Sequence, residues 1–178
     1  MNALRWSVTA MSDATDLLST LPSGDRTRAF AAIGDAVWCV TMVDATLMRH
    51  HHRAYDAVMA DLTPAERRRT EEALGGLRFV RNRIAQDVDL GELVEPGRRE
   101  SAAGTAAITN WTWKSVSEPE RASHPSPAQD WEMMRYRAYQ AQLAGHTIAE
   151  SFPRLAAFLR LTAAKAATLT DLGAHPAQ

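Results

Sequence analysis

One cysteine, Cys39, leaves this chain of 178 residues unable to close an intramolecular disulfide or to build a cysteine-cluster metal site. That scarcity fits a reducing compartment and a packing role for Cys39. Aromatic residues are only 7% of the chain and isoleucine is sparse, whereas alanine is abundant. Helix is therefore favoured over sheet. Glycine and proline gather at a few breaks instead of recurring every ten residues, which argues against an all-β fold. An excess of positive charge is missing too. The formal net charge of -1 gives no global field for holding long stretches of nucleic acid, and Arg78, Arg81 and Arg83 are the basic cluster within a helix. Long apolar runs are absent from the sequence pattern. The best, Ala36 to Val43, is closed by Asp35 and Asp44, and Met1 to Ala10 holds Arg5 and Trp6 but no apolar core of signal-peptide length. The expectation is a cytoplasmic protein with no membrane span.

Hydrophobic residues at 46% and charged residues at 23% are close to the globular average, and the length suits one domain over 1–178. Residues 1–24 give no element assignment. After Pro22-Ser23-Gly24-Asp25 a helix is expected from about Thr27 to about Arg49, with Phe30, Ile33, Val37, Val40, Val43, Leu47 and Met48 on one face. Thr63-Pro64-Ala65-Glu66 combines a cap, a proline at the first helical position and a capping-box glutamate. It opens a second helix whose face carries Leu74, Leu77, Val80, Ile84, Ala85 and Val88. The pair Gly75-Gly76 costs about 1 kcal/mol per glycine in helix propensity, so it marks a kink or a close helix contact. From Gly91 to Pro127 the periodicity fails at Pro96-Gly97, Gly104, Pro119, Pro125 and Pro127, and 92–126 reads as one long loop. Within it Trp111-Thr112-Trp113 alternates like a short extended segment. Ser126-Pro127-Ala128-Gln129 is a second capping box for a helix ending near Ala144-Gly145. Thr147-Ile148-Ala149-Glu150 is a third, opening a last helix that must absorb Pro153 and runs to about Thr168. The fold class expected is all-α, a bundle of four or five helices with a long connection before the last two.

Two of these helices place a charge, Asp44 and Arg81, in the middle of an apolar stripe. An unpaired buried charge costs several kcal/mol, so the economical arrangement packs the two helices face to face with Asp44 meeting Arg81. Such a pair serves either as a strut fixing helix register or as a device holding an arginine in a shallow cleft.

The run Arg81-Asn82-Arg83-Ile84-Ala85-Gln86 resembles the signature helix of HEPN-domain proteins, a superfamily of helical bundles. In that family the motif is an arginine, a polar residue and, after a short interval, a histidine. The resemblance implies a homodimer in which two motifs form one site. It also implies either metal-independent endoribonuclease activity or an inactive scaffold associating with nucleotides, RNA or proteins, in stress response, toxin-antitoxin or phage-defence settings. Over most of the chain beyond residue 30 the sequence is also similar to a family of uncharacterised actinobacterial proteins. The shared order is Trp38 to Asp44, Leu77-Arg78-Phe79-Val80-Arg81-Asn82, Trp111 to Trp113, and Tyr139 to Gly145. By this resemblance Arg81, Asn82 and Gln86 are the motif positions, and Asp44 is the acidic residue that orients the arginine. Gln86 stands where the histidine is expected, and a glutamine amide cannot shuttle a proton near neutral pH. The expected function is therefore a catalytically degenerate HEPN-like protein acting by association. An endoribonuclease using Arg81 and Asn82, and a partner-docking module using the Trp111 loop, are the alternatives.

Other patterns carry less. His50-His51-His52 would have to converge on one ion from positions about 100° apart on a helix, which requires the helix to end there, so no metal or other cofactor is expected. No Gly-x-Ser-x-Gly elbow or strand-borne phosphate loop is present. Trp111 and Trp113, with Lys114 beside them, read as aromatic anchors in preference to base-stacking platforms.

Overall fold

A computed structural model describes residues 3–21, 25–99, 108–120 and 126–173. Among them six helices form a bundle: α1 (Ala3–Leu17), α2 (Arg26–His50), α3 (His52–Asp61), α4 (Pro64–Ala85), α5 (Pro127–Gln142) and α6 (Ile148–Gly173). A hairpin of β1 (Val94–Arg99) and β2 (Ile108–Trp113) is inserted between α4 and α5. The all-α reading holds, with six helices among the described residues where four or five were expected. Residues 3–17, unassigned from sequence, form α1, which lays Leu4 and Met11 into the core against α2 and α6. The second addition, α3, is ten residues long, too short for its periodicity to stand out.

Four of the helix starts are set by local capping chemistry. Asp25 accepts from the Arg28 N–H at 2.9 Å to cap α2; Pro22, Ser23 and Gly24 lie outside the described residues. The reciprocal capping boxes Thr63/Glu66 and Ser126/Gln129 both form, each with proline in the first turn. Thr147 Oγ1 accepts from the Glu150 N–H at 3.3 Å at the head of α6. That helix carries Pro153 and continues well past Thr168. The end of α4 was not foreseen: the helix stops at Ala85, before Val88. Asp87 takes φ 65°, the left-handed conformation that terminates helices. The N–H groups of Asp87 and Val88 then donate to Ile84 and Arg83 carbonyls, both at 3.1 Å.

The expected long loop is partly ordered structure. Val94 pairs with Trp113 and Pro96 with Trp111 in antiparallel register. The other edge of β2 meets the α5–α6 junction, where Trp113 N–H donates to His146 O at 3.0 Å and Gly145 N–H to Trp113 O at 2.8 Å. Trp111-Thr112-Trp113 is thus extended, as its alternation indicated. Gly104 and Pro125 lie outside the described residues.

The core is seamed by aromatic contacts running Phe79, Tyr139, Trp113, Phe152, which join α4, α5, β2 and α6 at centroid separations of 5.3, 6.3 and 6.3 Å. Trp113 Nε1–H donates to Ser151 Oγ at 3.0 Å, and Tyr139 Oη–H to Lys114 O at 2.5 Å. Trp111 packs edge-on against Phe30. Both tryptophans of the hairpin are buried, so they anchor it and present no ring to a partner, and Lys114 Nζ is committed to Gly91 O. The most apolar part of α2 has a mean hydropathy of 1.4 and is long enough to cross a membrane by composition, yet half of that window is buried inside the bundle.

Gly75-Gly76 resolves as a close helix contact. A Cβ on Gly76 would lie 3.0 Å from Tyr139 Cα and 2.9 Å from a Leu143 methyl. The absent side chain is what lets α5 approach α4. Gly76→Ala should cost about 1–3 kcal/mol by overpacking, read as a lower urea midpoint. Gly34→Ala, where a Cβ meets nothing within 4 Å, should instead gain about 0.5–1 kcal/mol.

Candidate functional site

The centre of the bundle holds one fully buried carboxylate. Asp44, on α2, is 0% exposed. Its Oδ1 accepts from Tyr55 Oη–H of α3 at 2.9 Å, and its Oδ2 accepts from Arg78 of α4 through Nε at 2.9 Å and through Nη2. Arg78 Nη2 also lies 3.0 Å from Met48 Sδ. The expectation that α2 and α4 pack face to face around an ion pair is met, but the partner is Arg78, not Arg81. The two arginines are one turn apart on the same face, and only the longitudinal register of α2 against α4 chooses between them. Tyr55 is the third member. Burial, with the charge and hydrogen bond of Asp44, pushes its phenol well above the usual range, so it remains a donor.

Arg81 sits one turn further along α4, half-buried, with Nη2–H donating to Asn82 Oδ1 at 3.3 Å. Asn82 Nδ2–H in turn donates to Glu132 Oε2 of α5 at 3.4 Å. Among the described residues Arg81 has no ion-pair partner. Burial, then the nearby Arg135 and Arg78 guanidiniums, hold its pKa below the ordinary arginine value, with Asp44 opposing. Arginine stays charged at any physiological pH, so this is a cation in an environment that favours an incoming anion.

These side chains line an open groove of about 820 Å³ above α4, walled on one side by Ala45 and Met48 of α2 and on the other by Ala128, Gln129, Trp131, Glu132 and Arg135 of α5. The groove exists because α2 and α5 each pack on α4 without packing extensively on one another. Arg78, Arg81, Asn82 and Gln86 form its floor. Trp131 is 57% exposed and Met48 47% exposed, so both apolar walls are open to a ligand; Met48 had been expected on the buried face. Gln86 is the C-cap of α4 and stands exposed at the rim. The structure brings Arg81, Asn82 and Gln86 together along one groove, whereas the ion pair expected between Asp44 and Arg81 forms with Arg78 instead. Sequence reasoning missed Trp131, Glu132 and Arg135, whose only signal is their helical spacing on α5. Arg83 departs from the expected basic cluster into a separate cleft with Glu92, Phe79 and Ser117.

A second cavity, about 610 Å³, lies on the other side of Arg78 among Tyr55, Asp56, Arg67 and Glu71. Its cations are engaged, Arg78 with Asp44 and Arg67 Nε–H with Met59 O at 3.1 Å. The three histidines do straddle a helix end, since α2 stops at His50 and α3 starts at His52. Among the described residues no group of three or more His, Cys, Asp or Glu is gathered to hold an ion.

Comparison with family models, curated proteins and solved structures finds no match.

The division between strut and site yields a stability test. Asp44→Asn and Arg78→Ala each leave a buried charge or donor uncompensated and should cost about 3–5 kcal/mol. Arg81→Ala, removing a half-exposed cation, should change stability by less than about 1 kcal/mol. Urea unfolding of the three variants reads both. Equal losses would remove the distinction.

Proposed function

We propose that this chain is a HEPN-like protein that binds RNA or nucleotide phosphates in the α2/α4/α5 groove and does not cleave them. The observation that carries this is the convergence of Arg78, Arg81, Arg135 and Trp131 on one open groove around the motif positions Asn82 and Gln86. Arg78 is neutralised by Asp44, which leaves Arg81 and Arg135 as the cations available to phosphate. Guanidinium forks match phosphate oxygens, and an exposed tryptophan beside them offers a stacking face to any base. Gln86, in place of the family's histidine, cannot carry a proton.

Binding of labelled single-stranded RNA to the purified protein, followed by anisotropy, should weaken about tenfold in Arg81→Ala, as expected for losing about 1.4 kcal/mol from one charge-assisted contact. The slope of log affinity against log salt should shrink by about 0.7. The RNA should remain intact. Absence of binding would sink the proposal. RNA cleavage that Arg81→Ala and Glu132→Gln both abolish would favour the endoribonuclease reading instead, with the Glu132 carboxylate beside Asn82 serving in proton transfer.

The homodimer implied by the resemblance belongs to the same proposal. Its support is an outer stripe on α2 where Trp38 is 49% and Met42 47% exposed, continuous through Ala45 with the wall of the groove. Tryptophan and methionine are enriched at interfaces. Sedimentation equilibrium should give twice the chain mass, and Met42→Lys should return a folded monomer. A monomeric parent protein would refute it.

A further inference from the structure

We infer that the groove selects guanine, with the base stacked on Trp131, its Watson–Crick edge on the Glu132 carboxylate and the phosphate on Arg81 and Arg135. This rests on the phosphate-binding reading above and adds the identity of the base.

The argument starts from an oddity. A site that gathers guanidiniums for an anion has no electrostatic use for a carboxylate, yet Glu132 lies in the groove wall between Trp131 and Arg135 on the same helix. It forms no ion pair with either arginine among the described residues. Its Oε2 is instead directed at Asn82 Nδ2, 3.4 Å away, and Asn82 is oriented in turn by Arg81 through Oδ1. The carboxylate is therefore held in place by a neutral amide and keeps acceptor capacity on both oxygens, since a carboxylate offers about four lone-pair sites.

A ligand that satisfies it must bring N–H donors. Two adjacent N–H donors in one plane match two carboxylate oxygens, and among the four RNA bases guanine alone presents that pair, at N1 and N2. Adenine and cytosine place a ring-nitrogen acceptor beside the amino group, and uracil flanks its single N–H with two carbonyls, so each sets a lone pair against the carboxylate. A buried or half-buried polar group left facing the wrong partner is the strongest source of discrimination available to such a site. Neighbouring residues on a helix diverge by about 100°, so Trp131 and Glu132 can address the face and the edge of one base. Met48, half-exposed on the opposite wall, closes over the other face. The volume of the groove, about 820 Å³, is within the range of about 300–1,000 Å³ typical of small-ligand sites.

The test uses the full chain and two kinds of probe. One is the set of four nucleoside 5′-monophosphates; the other is a pair of labelled single-stranded RNAs, oligoadenylate with and without one central guanine. The guanine-containing RNA should bind at least tenfold more tightly than oligoadenylate, or GMP at least tenfold more tightly than AMP, CMP and UMP. A preference seen with GMP assigns the site to the free nucleotide as well, and one confined to the RNA assigns it to a guanine within a chain; either supports the inference. Glu132→Gln should reduce the preference to less than twofold while retaining binding of oligoadenylate. Trp131→Ala should weaken all probes together, and both variants alter exposed or half-exposed side chains outside the core. If oligoadenylate binds as tightly as the guanine-containing RNA and Arg81→Ala weakens both, guanine selection is wrong while phosphate binding stands. If no probe binds, both fall.

Discussion

The Asp44 carboxylate has no contact with water and is held by donors from two other helices, the Arg78 guanidinium and the Tyr55 phenol. Burying such a charge is costly unless its lone pairs are met with good geometry. Once they are, α2, α3 and α4 are locked in one mutual register, because a slip of either partner helix would strand the charge. The groove depends on that register. By fixing how far α4 lies along α2, the ion pair sets Arg81, Asn82 and Gln86 about one turn or more beyond it on α4, where they form the floor of the groove. Arg78 serves as the strut and thereby frees Arg81 for the groove.

The second wall has an independent origin. With no side chain at Gly76, α5 reaches the backbone of α4, and Tyr139 and Leu143 fill the space a larger residue would have taken. Tyr139 then reaches over to the hairpin, donating to Lys114 O, while Gly145 and His146 bond to Trp113. The hairpin that interrupts the helical order is thus tied into the same packing, with its two tryptophans inward. On its other side α5 presents Trp131, Glu132 and Arg135 to the groove. One helix carries both core and site, which is why an aromatic core residue and an exposed tryptophan occur within eight positions of each other.

Legibility in the sequence followed the range of the interactions. Capping boxes at Thr63 and Ser126 were plain because their partners are three residues away, and the period of α2 and α4 showed because those helices are long. Residues of α1 and α3 were not recognised: α3 has ten residues, too few turns for periodicity to rise above composition, and α1 buries only Leu4 and Met11 among its 15. The helix end at Asp87 was missed because it relies on a non-glycine residue in a left-handed conformation, which residue type alone does not announce. Of the residues around the groove, Arg81, Asn82 and Gln86 stood out in the sequence through a contiguous motif. The groove's opposite wall on α5, some 50 positions later, has no motif to find.

By itself the sequence determined that the chain is helical, where most helices begin, and that two charges on apolar stripes demand company, since propensity, capping and desolvation act within a few residues or on a single side chain. Which arginine answers Asp44, that Tyr55 joins it, and that Trp131 and Glu132 face Asn82 across an open groove were decided only in three dimensions. Arg78 and Arg81 have the same chemistry and point the same way from one helix, so choosing between them is a matter of a few ångströms of helix sliding. That distance is set by the packing of the whole bundle and by no local rule.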